Sequence, residues 1–194
     1  MARDRASRPE ARPLRLFVAV DVPQGVRSRL DAAIAPIRAG LRGKWVPSQN
    51  WHVTMKFLGS TYPRLVDWVA ETVGEVASAN QPIHSSLTGL GAFPNERRAR
   101  VLWAGLDDPG ARLAAIAASL DDALSREFKV EKRAFTAHLT VARFDPPVRL
   151  GDRLGAADVT SDPFPIDRLV LYRSHLQRPA PRYEPVGEFP LGGR

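Results

Sequence analysis

Asn50–Gly59 reads NWHVTMKFLG, and Thr136–Phe144 reads TAHLTVARF. Both are short apolar segments interrupted by a histidine and, two places on, a threonine. Successive side chains on a strand point to opposite faces. On the first segment His52, Thr54 and Lys56 therefore share one face, while Trp51, Val53, Met55 and Phe57 share the other and pack into a core. On the second, His138 and Thr140 share a face, and Leu139 and Val141 point inward. Strict alternation turns Arg143 away from His138, unless a bulge near the strand end brings it back. Lys56, on the histidine face of the first strand, is the competing cation.

Two imidazoles over one cleft suit acid–base chemistry. An unperturbed imidazole titrates near neutrality, so one can be neutral while the other is protonated. One takes a proton from a nucleophile and the other gives a proton to a leaving oxygen. Threonine hydroxyls can donate to oxygens that gain negative charge. An arginine can grip a phosphate with its two-pronged guanidinium. The substrate that needs all of these groups is a phosphodiester.

Outward from these strands, the chain alternates helices with paired strands, and does so twice. Leu14–Pro23 (LRLFVAVDVP) reads as a buried strand. Pro23 opens a helix with Val26, Leu30, Ile34, Ile37 and Leu41 on one face, and Pro36 predicts a kink or an early end. KWVP forms a strand, and PSQN turns into the first histidine strand. Helices are predicted over Pro63–Ala79 and Pro109–Glu127, with a short one around Leu150–Ala157. IHSSLTGLGAF and RVLWAGL read as a hairpin across the loop PNERRA, and FPIDRLVLYRSHL and RYEPVGEFPL as closing strands. The pattern is α+β with an internal duplication.

Composition bounds the function. The 194 residues suit one domain or two small lobes sharing a core. With no cysteine, disulfides, a cysteine nucleophile and thiolate metal sites are excluded, in keeping with a cytoplasmic location. No apolar run approaches the ~20 residues that span a membrane. Residues 1–13 read as a disordered basic tail, and 14–194 as the folded domain. The net charge of +7, carried mostly by arginine, favours an anionic partner such as RNA or nucleotide phosphate. A non-catalytic RNA-binding module is the alternative reading, with Trp45, Trp51 and Trp103 available for stacking. A metal hydrolase lacks its usual short-range motif, and no carboxylate lies near either H-x-T. A G-x-S-x-G nucleophile motif is absent as well. His84 and His175 stand alone and read as ordinary surface or hydrogen-bonded residues. A monomer is expected.

The paired HVTM and HLTV resemble the two H-x-T-x motifs of the two-histidine phosphoesterase superfamily. RLFVAVDVP, WVPSQNWHVTMKFLG, GAFPNERRARVLWAGL, FTAHLTVARF and LYRSHLQRPAPRYEPVGEFPL resemble its RNA 2′,3′-cyclic phosphodiesterase branch, also called the 2′-5′ RNA ligase family. The resemblance covers about Leu14 to Leu191. It implies two pseudo-symmetric lobes, each an antiparallel sheet with helices on its outer face, and an active-site cleft between them. It implies hydrolysis of the 2′,3′-cyclic phosphate ends of RNA or nucleotides to 2′-phosphates without metal or cofactor, together with reversible 2′-5′ ligation. His52 would be the proton donor and His138 the proton acceptor. Thr54, Thr140 and Arg143 would bind the phosphate, which favours Arg143 over Lys56. Ala137 stands where the family often has proline, a departure expected to shift the backbone slightly.

Overall fold

The first apolar segment forms β1 (Leu14–Asp21), and Leu16, Val18 and Val20 enter the core. The computed structural model describes residues 12–155 and 157–193, so the expected tail lies almost wholly outside the described residues. After Pro23 comes α1 (Gln24–Ala39), which buries Leu30, Ile34 and Ile37. Pro36 does not end the helix, which runs on to Ala39 and stops before Leu41. The expected KWVP strand shrinks to β2 (Lys44–Trp45), since Pro47 has no N–H to continue a ladder. A 3-10 turn over Ser48–Asn50 then leads into β3 (His52–Thr61).

The second predicted helix becomes a 3-10 turn followed by α2 (Val66–Ser78), with Val69, Val73 and Val76 inward. Ile83–Phe93 divides into β4 (Ile83–Ser85) and β5 (Leu87–Phe93). β5 forms the expected hairpin with β6 (Ala99–Leu106). α3 (Arg112–Ala123) starts later than predicted, where the Asp108 carboxylate accepts the amides of Leu113 and Ala114 at 2.7 and 3.0 Å. The second histidine strand is β7 (His138–Val148). The short helix expected near Leu150 is a 3-10 turn over Gly151–Arg153. β8 (Phe164–Ile166), β9 (Arg168–His175) and β10 (Arg182–Pro190) complete the chain.

Among the described residues, eight strands join in one antiparallel sheet in the order β10-β9-β1-β3-β7-β6-β5, with β2 also on β7. β4 and β8 form a separate pair. The two expected lobes are visible in this order. One is β10-β9-β1-β3 and the other is β7-β6-β5 with β2, so the C-terminal strands return to the N-terminal lobe. The lobes meet through one register pair, Val53 opposite Leu139. α2 packs on β9 and β10, and α3 packs on β3. One apolar cluster runs beneath both lobes, and each fully buried Leu or Ile in it contributes about 1.5–3 kcal/mol.

Candidate active site

The Val53–Leu139 pair sets what faces what. In an antiparallel register it brings His52 across from Thr140 and Thr54 across from His138. The two H-x-T motifs thus form a square of side chains on one face of the sheet, with the histidines on a diagonal.

Both histidines are held in the same way. Nδ1–H of His52 donates to the Asn50 carbonyl at 2.8 Å, and Nδ1–H of His138 donates to the Thr136 carbonyl at 2.7 Å. In each case the partner is two residues back, where the chain enters the strand. These bonds fix the tautomer and leave Nε2 facing the cleft. Nε2 of His52 accepts from Thr54 Oγ1 at 3.1 Å. The Asn50 side chain in turn donates to the Pro181 carbonyl at 2.7 Å, tying this turn to the β9–β10 connection.

Aromatic rings wall each imidazole. His52 stacks on Phe17 at 4.8 Å and meets the edge of Tyr183 at 5.2 Å. His138 meets Phe93 edge-on at 5.1 Å and Trp103 at 6.1 Å. The Trp103 indole lies against Gly91, where a β-carbon would collide with it. Trp51 is a core residue, 1% exposed, and Trp45 packs edge-on against Phe144, so only Trp103 of the three tryptophans weighed for stacking borders a histidine.

Burial pushes the His52 pKa down to about 4, opposed by the Asn50 carbonyl and the Asp21 carboxylate and assisted by Arg27 and His138. Asp21 pairs with His52 across β1 and β3, accepts from the Tyr172 hydroxyl at 2.7 Å, and lies 3.6 Å from Arg27. The His138 pKa is also lowered, chiefly by burial, with the Thr136 carbonyl opposing and Arg143 adding to the fall.

The alternation read from the sequence breaks at the same place in both strands. β1 and β3 shift register at Met55, and β6 and β7 shift at Val141. Each is a bulge that leaves two successive residues on the core side. Met55 and Lys56 are both buried, as are Val141 and Ala142. The bulge returns Arg143 to the histidine face, where its charge acts on His138 and Tyr183. It sends Lys56 the other way, to an ion pair with Asp121 and a 2.6 Å bond to the Lys129 carbonyl. Lys56 is therefore no cleft cation. Phe57, expected in the core, is 69% exposed on the cleft face, at the position of β3 that corresponds to Arg143 on β7.

Besides the aromatic walls, three further residues were not placed in the cleft from the sequence. Lys44 pairs with Arg143 across β2 and β7 and so shares its face; Asp21 and Phe57 complete the set. Among the described residues, no three His, Asp or Glu side chains converge into a metal-holding cluster, and no helix is long and apolar enough to cross a membrane. Ala137 is buried, and its carbonyl accepts the Leu106 amide at 2.9 Å. His84 is exposed, while His175 bonds Glu184.

The family model for LigT-like phosphoesterases matches residues 20–103 and 105–183, one match per H-x-T motif. An RNA 2′,3′-cyclic phosphodiesterase of Methanocaldococcus jannaschii is 31% identical over 184 residues, covering 91% of this chain and all of that protein. One of Thermus thermophilus is 32% identical over 188 residues, covering 93% of this chain and 91% of that protein. A similarly named Geobacillus stearothermophilus protein is 30% identical over 156 residues, and the match spans 48% of its length. Among solved structures, that of a Thermus thermophilus protein superposes with a TM-score of 0.77 at 27% identity, covering 93% of this chain and 99% of that one. Escherichia coli LigT in complex with 3′-AMP gives 0.74 at 24% identity, covering 92% and 98%.

Proposed function

We propose that this chain, which belongs to the LigT-like phosphoesterase family, hydrolyses RNA or nucleotide 2′,3′-cyclic phosphates to 2′-phosphates. The observation that carries this reading is the square of two histidines and two threonines across one register pair, with both Nε2 atoms facing one cleft. Its two members of each kind match the two proton transfers and the two non-bridging oxygens of a phosphodiester.

In this reading water attacks phosphorus and His138 Nε2 takes its proton. The P–O3′ bond breaks, and His52 Nε2–H protonates the departing 3′ oxygen. Thr54 and Thr140 donate to the non-bridging oxygens, and Arg143 neutralises their charge. The flanking charges support this division of roles. Burial lowers both rings, but at His52 the Asp21 carboxylate opposes that fall, with Arg27 against it, whereas at His138 the cation Arg143 adds to it. An anionic substrate between the rings raises both pKa values. With a 5′-hydroxyl in place of water the same two proton transfers give a 2′-5′ phosphodiester, and the roles exchange only in its cleavage back to the cyclic phosphate.

Incubation of the protein with a nucleoside 2′,3′-cyclic phosphate in EDTA, followed by ³¹P NMR, tests the proposal. Conversion to the 2′-phosphate alone is the expected result. A 3′-phosphate product, or activity abolished by EDTA, would overturn it. Tight, salt-dependent RNA binding with no turnover would leave the non-catalytic RNA-binding module standing instead.

Phe57 gives this site a place for the base. An aromatic ring left exposed on a strand leaves about 1.5–3 kcal/mol of burial unrealised, and a stacked base would recover part of it. Replacing Phe57 with Ala is expected to raise KM roughly tenfold with kcat nearly unchanged, as base stacking contributes about 1–3 kcal/mol. An equal loss on a ribose 2′,3′-cyclic phosphate lacking a base would refute that role.

A further inference from the structure

The arginines look scattered in the sequence, but the fold gathers several at the tip of the second lobe. The β5–β6 turn carries Arg97 and Arg98, and the chain leaving β7 carries Arg149 and Arg153. The two segments are joined: Ala99 pairs with Val148, and the Leu150 amide donates to the Glu96 carbonyl at 2.9 Å. The turn itself is fixed, since Asn95 Oδ1 accepts the amides of both Arg97 and Arg98 at 3.1 Å. Arg97 and Arg149 line one cavity there, together with Glu96 and Asp152.

All four guanidiniums belong to exposed residues, and none lies within 4.0 Å of a carboxylate among the described residues. On the first lobe several arginines are paired. There Arg168 pairs with Asp167 and Glu188, and Arg182 and His175 with Glu184. Four arginines without an ion pair are thus gathered at one tip, with Glu96 and Asp152 beside them at the cavity, and their positive charge outnumbers these two carboxylates. It continues from the cleft, because Arg143 and Lys44 lie side by side on the same β7 face. Arg143 and Val148 lie opposite Val101 and Ala99, two residues apart on β6, so the tip begins roughly 7 Å from Arg143 at the rise of a strand. That proximity lets the chain of an oligonucleotide run from the cleft directly onto the tip.

We infer that Arg97, Arg98, Arg149 and Arg153 form a second anion site, which holds internucleotide phosphates of an RNA strand whose cyclic end lies in the cleft. The inference rests on the reading of the cleft given above and narrows its substrate to polymeric RNA ends. Exposed arginines on a rim hold phosphates and carry no base specificity. The signature is therefore dependence on chain length and on salt.

The test compares kcat/KM on uridine 2′,3′-cyclic phosphate with that on a short single-stranded RNA ending in the same group. Both are measured for the wild type, for a variant with all four arginines changed to glutamine, and for one with all four changed to lysine. If about three phosphates are neutralised, the wild-type value on the RNA should fall roughly 20-fold between about 50 and 200 mM salt. The mononucleotide value should change far less. The glutamine variant should lose the advantage on RNA and its salt dependence while keeping the mononucleotide rate, and the lysine variant should retain both. Equal rates of the wild type on RNA and mononucleotide, or equal losses by the glutamine variant on the two, would overturn the inference and leave the cleft reading intact. Turnover of neither substrate by folded wild-type protein would overturn the cleft reading, and this inference with it.

Discussion

Alanine in place of His138 or His52 is expected to lower turnover of a 2′,3′-cyclic phosphate by roughly 10²–10⁴-fold, the usual share of one general acid or base. A double alanine variant that keeps wild-type turnover would eliminate the mechanism. The accompanying pH dependence follows from the two depressed pKa values. In the free protein both imidazoles titrate below their ordinary 6.5. The proposed mechanism needs His52 protonated and His138 neutral, so kcat/KM should peak on the acid side of 6.5. It should fall with rising pH as His52 loses its proton, and at lower pH as His138 gains one. The apparent values belong to the pair, since each ring feels the other's charge. kcat reports the bound complex, where the phosphate raises both values, so its profile should lie at higher pH. A kcat/KM that climbs through pH 7.5 would reject the assigned roles. Stability supplies a second readout. A histidine whose folded pKa is lowered adds stability that is full above its unfolded value and is lost as pH falls. For His52 the window runs from about 6.5 to 4 and amounts to about 3 kcal/mol. The alanine variant at His52 should lose less stability across that window than the wild type does.

The histidine face was legible in the sequence because the first four residues of each motif alternate strictly, and periodicity is what a sequence shows best. Legibility ended at the bulge. One extra residue, Met55 in one strand and Val141 in the other, reverses the side chains that follow it up to the next register shift. That reversal moved Lys56 from the cleft to the core, and Phe57 from the core to the cleft. Nothing in HVTMKF marks a bulge locally. The signal lay in the comparison of the two motifs, because a register that suits Arg143 in one copy must place Phe57 in the other. Asp21, Lys44 and the aromatic walls come from strands distant in sequence, and cross-strand register assigns them to the site. The helix boundaries slipped for a simpler reason. Pro63 and Pro109 start 3-10 turns, and the α-helices begin only after them.

Lys56 and Arg143 lie close in the two repeats and are expected to fail in opposite ways. The Lys56 side chain is 4% exposed and that of Asp121 is 15% exposed. Lys56 also bonds the Lys129 carbonyl, and Asp121 accepts the Glu131 amide at 2.7 Å. One ammonium thus holds β3, α3 and the segment after α3 together. Replacing Lys56 with Met would leave a largely buried carboxylate without its counter-charge, at a cost of about 3–5 kcal/mol. In a chain of this size that is roughly 10 °C or more in Tm. Since Lys56 faces away from the histidines, kcat of the folded fraction should stay near the wild-type value. Neutralising the partner as well, with Asp121→Asn, should recover part of the loss, because the amide oxygen still accepts from Glu131 and the uncompensated charge is gone. Arg143 is exposed and faces the cleft, so Arg143→Gln should leave Tm almost unchanged while lowering kcat/KM about 10²-fold, the cost of one donor to a developing anion. Thermal melts and initial rates on the four proteins, wild type included, decide the matter. A large kcat loss in Lys56→Met at full stability would return Lys56 to the cleft and refute the bulge as the device that divides the two cations.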